Sequence, residues 1–303
     1  MNGWYLAAFD ADLPDDVNPL TIGDRRLIAV RDGDDVRVFD GTCPHRGAHL
    51  GYGGRLDGAC VVCPFHGKHI RLGGDTRLSV HEHRVLRAGD AIFVRLSDDP
   101  RDDRGFEQVV KELAASRRVV AAVRQEVSAP AAYIVENAFD MDHFAAVHHV
   151  PRVESLGVRI DDAGALAIEA EFRTLISPWV SAQQREDARQ TALATGEAQM
   201  DFASRFYARA FSPAVVITEF GPPGATHYVI TGAVPVDGGC IARVAVAVLP
   251  DCQAQLTHLV HGARKALGED LVVWNHLDVE APQRYDGRDA PVLAFRDFCA
   301  SFA

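Results

Sequence analysis

Two cysteine–histidine pairs constrain this chain more than any other feature of its sequence. Cys43 and His45 lie in a C-P-H segment, and Cys63 and His66 lie in a C-P-F-H segment. The proline after each cysteine fixes φ, and a glycine within two residues of each histidine permits a tight turn. We therefore expect two short loops that together offer two thiolates and two imidazoles to a metal centre.

Both ligand types have a chemical reason to be present. In a [2Fe–2S] cluster, two thiolates can hold one iron, while two imidazoles on the other iron raise the reduction potential. A structural zinc site built from the same four side chains is the alternative. Zinc sites more often use C-x2–4-C pairs, so a C-x-H segment combined with a C-x2-H segment is unusual for them. The pattern favours the iron–sulfur cluster.

The chain changes character after its first third. Residues 20–96 contain short apolar runs separated by turn residues, which is typical of β-strands. Residues 97–104 are polar and charged and contain a proline, as expected of a linker. Beyond them, strand-like segments are followed by longer helical patterns. We therefore predict an α+β protein with an all-β domain over residues 1–104, which includes the linker, and a second domain over residues 105–303.

Composition excludes several classes of function. The net charge of −11 disfavours a nucleic-acid or anionic-membrane surface. No apolar run approaches the roughly 18 residues of a membrane span, and the first 20 residues lack a signal-peptide pattern. Six cysteines in 303 residues are too few for a disulfide scaffold, so a reducing cytoplasm is the expected location.

A second group of metal-binding side chains lies on a helix predicted over residues 130–149. Asp140 and His143 are three residues apart and share a helix face. His148 is five residues beyond His143, roughly 140° away in a regular helix. One ion can bind both histidines only if the helix ends, tightens or bulges between them. Spacing alone leaves His148 and His149 both open as the second ligand.

The first group resembles a known family almost letter for letter. Residues 43–50 (CPHRGAHL) and 63–67 (CPFHG) resemble the Rieske domains of aromatic-ring-hydroxylating and related oxygenases. The resemblance implies that the two cysteines hold one iron and that His45 and His66 hold the other. Lys68 departs from the family, which usually has tryptophan there, and this affects local packing and the cluster potential.

The second group resembles the catalytic-iron motif of the same family. N-x2-D-x2-H-x4-H falls on Asn137, Asp140, His143 and His148. The resemblance implies that the two histidines bind the catalytic iron and that Asn137 lies beside it. It also implies that Asp140 is a bridging carboxylate, which links His66 of the partner subunit to His143.

The facial triad of such an iron site needs one further acid. Candidates near the C-terminus are Asp278, Glu280, Asp286, Asp289 and Asp297. Residues 289–296 resemble the tail of steroid-type Rieske monooxygenases, in which an acid before a Pro-Val helix supplies the third ligand. We therefore predict Asp289, with Asp286 in reserve. An aspartate ahead of a proline is also a good helix N-cap, which is the alternative role.

The resemblance further implies a fold, an activity and partners. The second domain would be a helix-grip (START-like) domain with a central antiparallel sheet. The chain would use O2 and iron(II) to hydroxylate a small hydrophobic, polycyclic organic substrate. Electrons would come from NAD(P)H through a ferredoxin or flavin reductase, since this chain has no nucleotide fingerprint. A homotrimer is implied, because the Asp140 bridge works between subunits.

Rival functions stay open at this point. A Rieske O- or N-demethylase uses the same chemistry, an electron-transfer Rieske protein would lack the catalytic iron, and a zinc-stabilised binding module would lack both iron centres. The aromatic residues predicted to form the substrate pocket are Trp179, Phe202, Phe206, Phe211, Tyr228 and Trp274.

Overall fold

Three β-sheets and five α-helices make up the described part of the chain. The computed structural model describes residues 2–150, 152–174, 202–221 and 226–302, together with Glu186 and Gln190. The strands are, in chain order, β1 Trp4–Phe9, β2 Val17–Ile22, β3 Arg25–Asp32, β4 Asp35–Asp40, β5 Arg55–Asp57, β6 Cys60–Val62, β7 His69–Leu72, β8 Ser79–Val80, β9 Glu82–Ala88, β10 Ala91–Arg95, β11 Arg118–Val127, β12 Arg152–Ile160, β13 Leu166–Thr174, β14 Phe202–Ser212, β15 Val215–Gly221, β16 His227–Val236 and β17 Gly239–Val248. The helices are α1 Phe106–Ser116, α2 Ala131–Glu136, α3 Met141–Ala146, α4 Leu256–Trp274 and α5 Ala290–Ala300.

The N-terminal part is all-β up to the linker, as predicted. A six-stranded sheet has the order β1-β10-β9-β4-β3-β2, and a four-stranded sheet has the order β5-β6-β7-β8. Some strands are buried along their length, such as β1, and others alternate in the way that one-sided burial requires. In β7, for example, Ile70 and Leu72 are buried while His69 and Arg71 are exposed. The two ligand loops follow β4 and β6, so the sheets bring them to one end of this domain.

A seven-stranded antiparallel sheet forms the second part, in the order β11-β17-β16-β15-β14-β13-β12. Both of its faces are covered at β17. Ala245 of β17 belongs to the core that Trp4 and Phe106 share, whereas its neighbour Val244 packs in a core with Leu267 and Trp274 of α4. The long helix thus lies across one face of the sheet and the N-terminal domain across the other. This confirms the predicted α+β, helix-grip architecture.

The helix predicted over residues 130–149 is broken. α2 continues into a 3-10 turn at Asn137–Phe139, and Asp140 then leaves the helical region with φ −88° and ψ 99°. The linker also has structure of its own, because Pro100–Asp103 forms a 3-10 turn and the Trp4 indole donates to Asp103 at 2.9 Å. None of the described helices combines the length and the apolar content needed to cross a membrane.

Candidate metal centres and their cavity

The two ligand loops after β4 and β6 have the same backbone hydrogen bonds. In each loop the glycine four residues after the cysteine donates to the cysteine carbonyl, at 2.9 Å for Gly47 and 3.0 Å for Gly67. The cysteine N–H donates to the carbonyl five residues onward at 2.8 Å in both loops. Both glycines have left-handed φ, +73° and +65°, which glycine adopts without steric cost. The sequence therefore builds two matched turns that present their ligands alike.

The four ligands separate into a buried thiol pair and an exposed imidazole pair. Cys43 and Cys63 are each 2% exposed and hydrogen-bond to each other, while the His45 and His66 rings are exposed with centroids 4.9 Å apart. Burial raises the pKa of the Cys43 thiol. The pKa of His45 is lowered, first by desolvation and then by the charge of Lys68.

The separation of the thiol pair from the imidazole pair distinguishes a single zinc ion from a two-iron cluster. Among the described residues, no three of these four side chains bring their donor atoms within 4.8 Å of one another. A tetrahedral zinc ion would draw all four donors around one point. Two thiols on one side and two imidazoles on the other instead suit a centre with two irons, so the donor set fits a [2Fe–2S] cluster.

The break at Asp140 orients the first histidine of the second site. The Asp140 carboxylate caps α3, accepting from the backbone N–H groups of Asp142 at 3.1 Å and His143 at 3.3 Å. The His143 Nδ1 donates to the backbone carbonyl of Asp140. Because that carbonyl can only accept, the proton lies on Nδ1 and Nε2 is left as the donor atom for a metal. Asn137 Nδ2 lies 3.1 Å from this Nε2.

The second histidine approaches because α3 is short. The helix ends at Ala146, and His149 has a left-handed φ of +57°, so the chain turns back immediately. The His148 ring then lies 5.1 Å from the His143 ring at an interplanar angle of 80°. His149 is exposed. The helix thus ends between the two histidines, which is one of the three irregularities that binding of one ion by both would require.

Asp270 of α4 completes a three-ligand group. Its Oδ1 lies 3.3 Å from His148 Nε2, and the donor atoms of His143, His148 and Asp270 are mutually within 4.8 Å. His143 is 9% exposed and Asp270 8%. A two-histidine, one-carboxylate set of this kind binds iron(II) and leaves coordination positions open.

The surroundings of this group shift the pKa values of the two histidines in opposite directions. Burial lowers the pKa of His143. Burial acts in the same direction on His148, but hydrogen bonds to Asp270 and Glu269 outweigh it and the pKa of His148 is raised. Glu269 Oε2 accepts from His148 Nδ1 at 2.9 Å. A carboxylate behind a ligand histidine fixes the tautomer and the ring orientation.

The structure does not bring Asp289 to the two histidines. Its Oδ2 accepts from the backbone N–H of Asp286 at 2.7 Å at the start of α5, and neither acid belongs to the three-ligand group. Asp289 thus closes a capping box on the 3-10 turn Gly287–Asp289, and its side chain makes no N-cap hydrogen bond to α5. Sequence reasoning missed Asp270, although a signal existed: it is spaced i+3 and i+7 with Leu267 and Trp274 on the buried side of α4. An acid on the apolar side of a long helix is costly unless it has a partner.

A cavity of about 780 Å³ opens from this group between α4 and the seven-stranded sheet. Its most apolar wall is a set of phenylalanines in mutual contact, Phe144, Phe172, Phe206 and Phe220. The Phe172 and Phe206 rings are parallel within 6° at 4.9 Å. Phe172, Phe206 and Phe220 lie on the successive antiparallel strands β13, β14 and β15, which is why one face of the sheet presents them together, and Phe144 joins them from α3.

The aromatic residues predicted to form the substrate pocket lie in different parts of the structure. Phe206 and Trp274 line the cavity. Phe211 is fully buried in the core between the two domains, and Tyr228 packs against that core, so both predictions were wrong. Trp179 and the side chain of Phe202 lie outside the described residues.

Comparison with known proteins agrees with this geometry. Residues 3–87 match the Rieske [2Fe-2S] domain family, and residues 104–302 match the family of the 3-Ketosteroid 9alpha-hydroxylase C-terminal domain. Cholesterol 7-desaturase nvd of Bombyx mori is 29% identical over 174 residues, 52% of this chain and 38% of that protein. The Xenopus laevis protein of the same name is 42% identical over 73 residues, 23% of this chain and 16% of that protein. The matches thus span well under half the length of these relatives.

Two solved structures share the fold over nearly the whole chain. Dicamba monooxygenase bound to dicamba superposes with a TM-score of 0.72 at 18% identity, over 99% of this chain and 96% of that one. The NdmA QL mutant of Pseudomonas putida CBB5 with caffeine superposes with a TM-score of 0.66 at 16% identity, over 99% and 89%. Since one family accounts for the cluster loops and the other for the sheet, the cavity and the three-ligand group, this chain belongs to the Rieske-type oxygenases whose catalytic half is a 3-Ketosteroid 9alpha-hydroxylase C-terminal domain.

Proposed function

We propose that this chain is the terminal oxygenase of a Rieske non-haem iron system and hydroxylates a neutral, apolar organic substrate. The observation that carries the proposal is the buried group of His143, His148 and Asp270 at one end of a largely apolar cavity. Iron(II) held by these three residues would supply activation of O2, with electrons from a [2Fe–2S] cluster held by the two loops. An electron-transfer protein would need neither the cavity nor the second donor group.

The residues around the iron site have distinct tasks. Glu269 accepts a hydrogen bond from Nδ1 of His148 and so fixes the orientation of that ring. The carbonyl of Asp140 does the same for His143. Asn137 bounds the cavity beside the donor atom of His143. Together these contacts orient both rings so that their Nε2 atoms face the metal position.

Asp140 is proposed as the carboxylate that links a cluster to the iron site. The proposal is supported by its position one helical turn before His143 and by the bond between its carbonyl and that imidazole. In the resulting assembly, a homotrimer in the cytoplasm, the cluster of one subunit would serve the iron of the next. A separate ferredoxin or flavin reductase would deliver the electrons of NAD(P)H.

The cavity indicates the charge of the substrate. Among the described residues that line it, Lys265 is the one lysine or arginine. Its side chain is 68% exposed and pairs with Glu269 at 3.4 Å, so it lies at the rim. A carboxylate away from the iron would have no lysine or arginine partner among the described lining residues deep in the cavity, so its desolvation would be costly. A neutral, ring-shaped molecule that packs on the phenylalanine wall fits better.

Metal content and turnover test the proposal together. The protein is purified without oxygen, iron, sulfide and zinc are counted, and the EPR spectrum of the reduced protein is recorded. We expect about three irons and two sulfides per chain. Two irons would leave only electron transfer, and zinc in place of iron would contradict both functions. Single-turnover reactions with neutral polycyclic compounds and their carboxylate analogues then test the substrate class, and product analysis separates hydroxylation from O- or N-demethylation.

A further inference from the structure

The turn that carries Asn137 and Asp140 is anchored on its opposite side to the last helix. Arg296 of α5 donates twice to the Glu136 carboxylate, from Nε at 2.6 Å and from Nη2 at 2.8 Å. This paired geometry matches the planar guanidinium to the carboxylate and fixes the relative orientation of the two groups. Glu136 is the residue immediately before the 3-10 turn.

A second contact holds the other end of the same turn. The Phe139 ring stacks on Phe295 of α5 with centroids 5.2 Å apart and planes 18° apart, and both residues are fully buried. Two adjacent residues of α5 thus anchor positions 136 and 139. The positions that follow each of them, 137 and 140, bear the side chains that meet His143. An anchoring E-x-x-F pattern is therefore interleaved with the N-x-x-D pattern of the iron site.

Arg296 is itself held from several directions. Its guanidinium lies 5.6 Å from the centre of the Tyr133 ring and 5.3 Å from that of Tyr285. It also donates to the Gln283 side-chain carbonyl and to the Tyr285 hydroxyl, and Gln283 Nε2 donates to the Tyr133 hydroxyl at 3.0 Å. The Arg296 and Glu136 side chains are 32% and 14% exposed. The pair is therefore better ordered than a surface ion pair, which contributes little.

We propose that Arg296 is a positioning residue for the iron site, which acts through Glu136 to set the turn that aims Asn137 and Asp140 at His143. The inference rests on the proposed function for its consequence in electron transfer, but the anchoring itself does not depend on turnover. The last helix, which sequence reasoning expected to supply a metal ligand, instead supports the residues around one. Loss of the pair would leave the three ligands in place and loosen what surrounds them.

The test compares Arg296→Met with a matched control on the sheet. Arg205→Met removes another arginine whose Nε donates to a carboxylate at 2.9 Å, that of Glu169, away from the turn. Three properties are measured on the full chain loaded with its cluster: hydrogen exchange of the backbone amides of residues 137–143, Co(II) affinity of the iron site, and the rate of cluster oxidation in single turnover. Supporting partners of a metal site typically change affinity or activity by roughly 10- to 100-fold.

We expect Arg296→Met to speed amide exchange in residues 137–143 and to weaken Co(II) binding and slow cluster oxidation by factors in that range, with Arg205→Met near the wild type. Arg296→Lys keeps the charge but loses the paired geometry, so it should fall between them. If Arg296→Met does not fold, the same three measurements on Arg296→Lys decide whether Arg296 positions the turn. Equal exchange and equal Co(II) affinity in the Arg296 variants and the control would overturn the positioning role.

Failure of the proposed function gives a different pattern. A wild-type protein that binds Co(II) but never oxidises its cluster in the presence of O2 and substrate would contradict the oxygenase. The exchange and Co(II) measurements would still decide the role of Arg296, because neither requires turnover.

Discussion

Replacing Asp270 with alanine should cost the iron site most of its affinity while the cluster stays intact. Two unit charges 4 Å apart at an effective dielectric constant of about 20 attract each other by about 4 kcal/mol. A carboxylate bound directly to a divalent ion is closer and faces twice the charge, but desolvation of both groups offsets part of the gain, so we take this figure as the order of magnitude. Since each 1.4 kcal/mol is a factor of ten, Asp270→Ala should weaken Fe(II) binding by roughly a thousandfold.

Asp289→Ala is the control for that experiment. Asp289 accepts a backbone hydrogen bond from Asp286 across the 3-10 turn that precedes α5, and loss of a capping contact of this kind costs about 1 kcal/mol of folding stability. Its Fe(II) affinity should therefore equal that of the wild type. Anaerobic titration of the apo iron site, followed by the EPR signal of its nitric oxide adduct, measures both variants. If Asp270→Ala binds Fe(II) normally and Asp289→Ala does not, the third ligand is Asp289 and the geometry described above is not that of the loaded site.

Three further perturbations have definite signs. Asp140→Asn should keep both metal centres but slow cluster oxidation in single turnover; an unchanged rate would remove the bridging role. Lys68→Met should lower the reduction potential of the cluster, because a nearby positive charge favours the more negative reduced form; voltammetry of the purified protein measures it, and a rise would contradict this account. Burial lowers the pKa of His227 to about 4 from its ordinary 6.5, so the folded state excludes a proton that the unfolded chain binds between those values, and stability is lost as pH falls through this window. At pH 5 the loss is about 2 kcal/mol at 1.36 kcal/mol per unit, and His227→Gln should abolish it in denaturant unfolding compared between pH 8 and pH 5.

Local spacing was enough to predict the cluster loops. Each loop closes on itself through hydrogen bonds between residues four or five apart, so its geometry is determined by the glycines and prolines within it. The exposed His45 and His66 and the buried Cys43 and Cys63 follow from that turn and from the alternation of the flanking strands. The same holds for His143 and Asp140, which are joined by a helix cap three residues long.

Asp270, the proposed third ligand, could not be predicted in this way, because it comes from a distant part of the chain. Glu269, the neighbour of Asp270, meets His148 across 121 residues of sequence. That meeting depends on α4 crossing the sheet at one particular position, which is a property of the whole antiparallel topology. The segment of the candidate C-terminal acids has a recognisable family pattern, whereas the pattern of α4 is that of an ordinary amphipathic helix apart from one buried acid.

The last helix nevertheless belongs to the site, and the interleaved patterns explain how. A turn can aim two side chains at a metal only if its other face is held, because an unsupported 3-10 turn has few hydrogen bonds of its own. Phe295 and Arg296 provide that support through Phe139 and Glu136, one by stacking and one by a paired ion contact. The last helix and the turn of the iron site thus depend on each other structurally. In this chain the dependence runs through the residues beside the ligands, so a change in the tail is expected to act on the site without touching the metal.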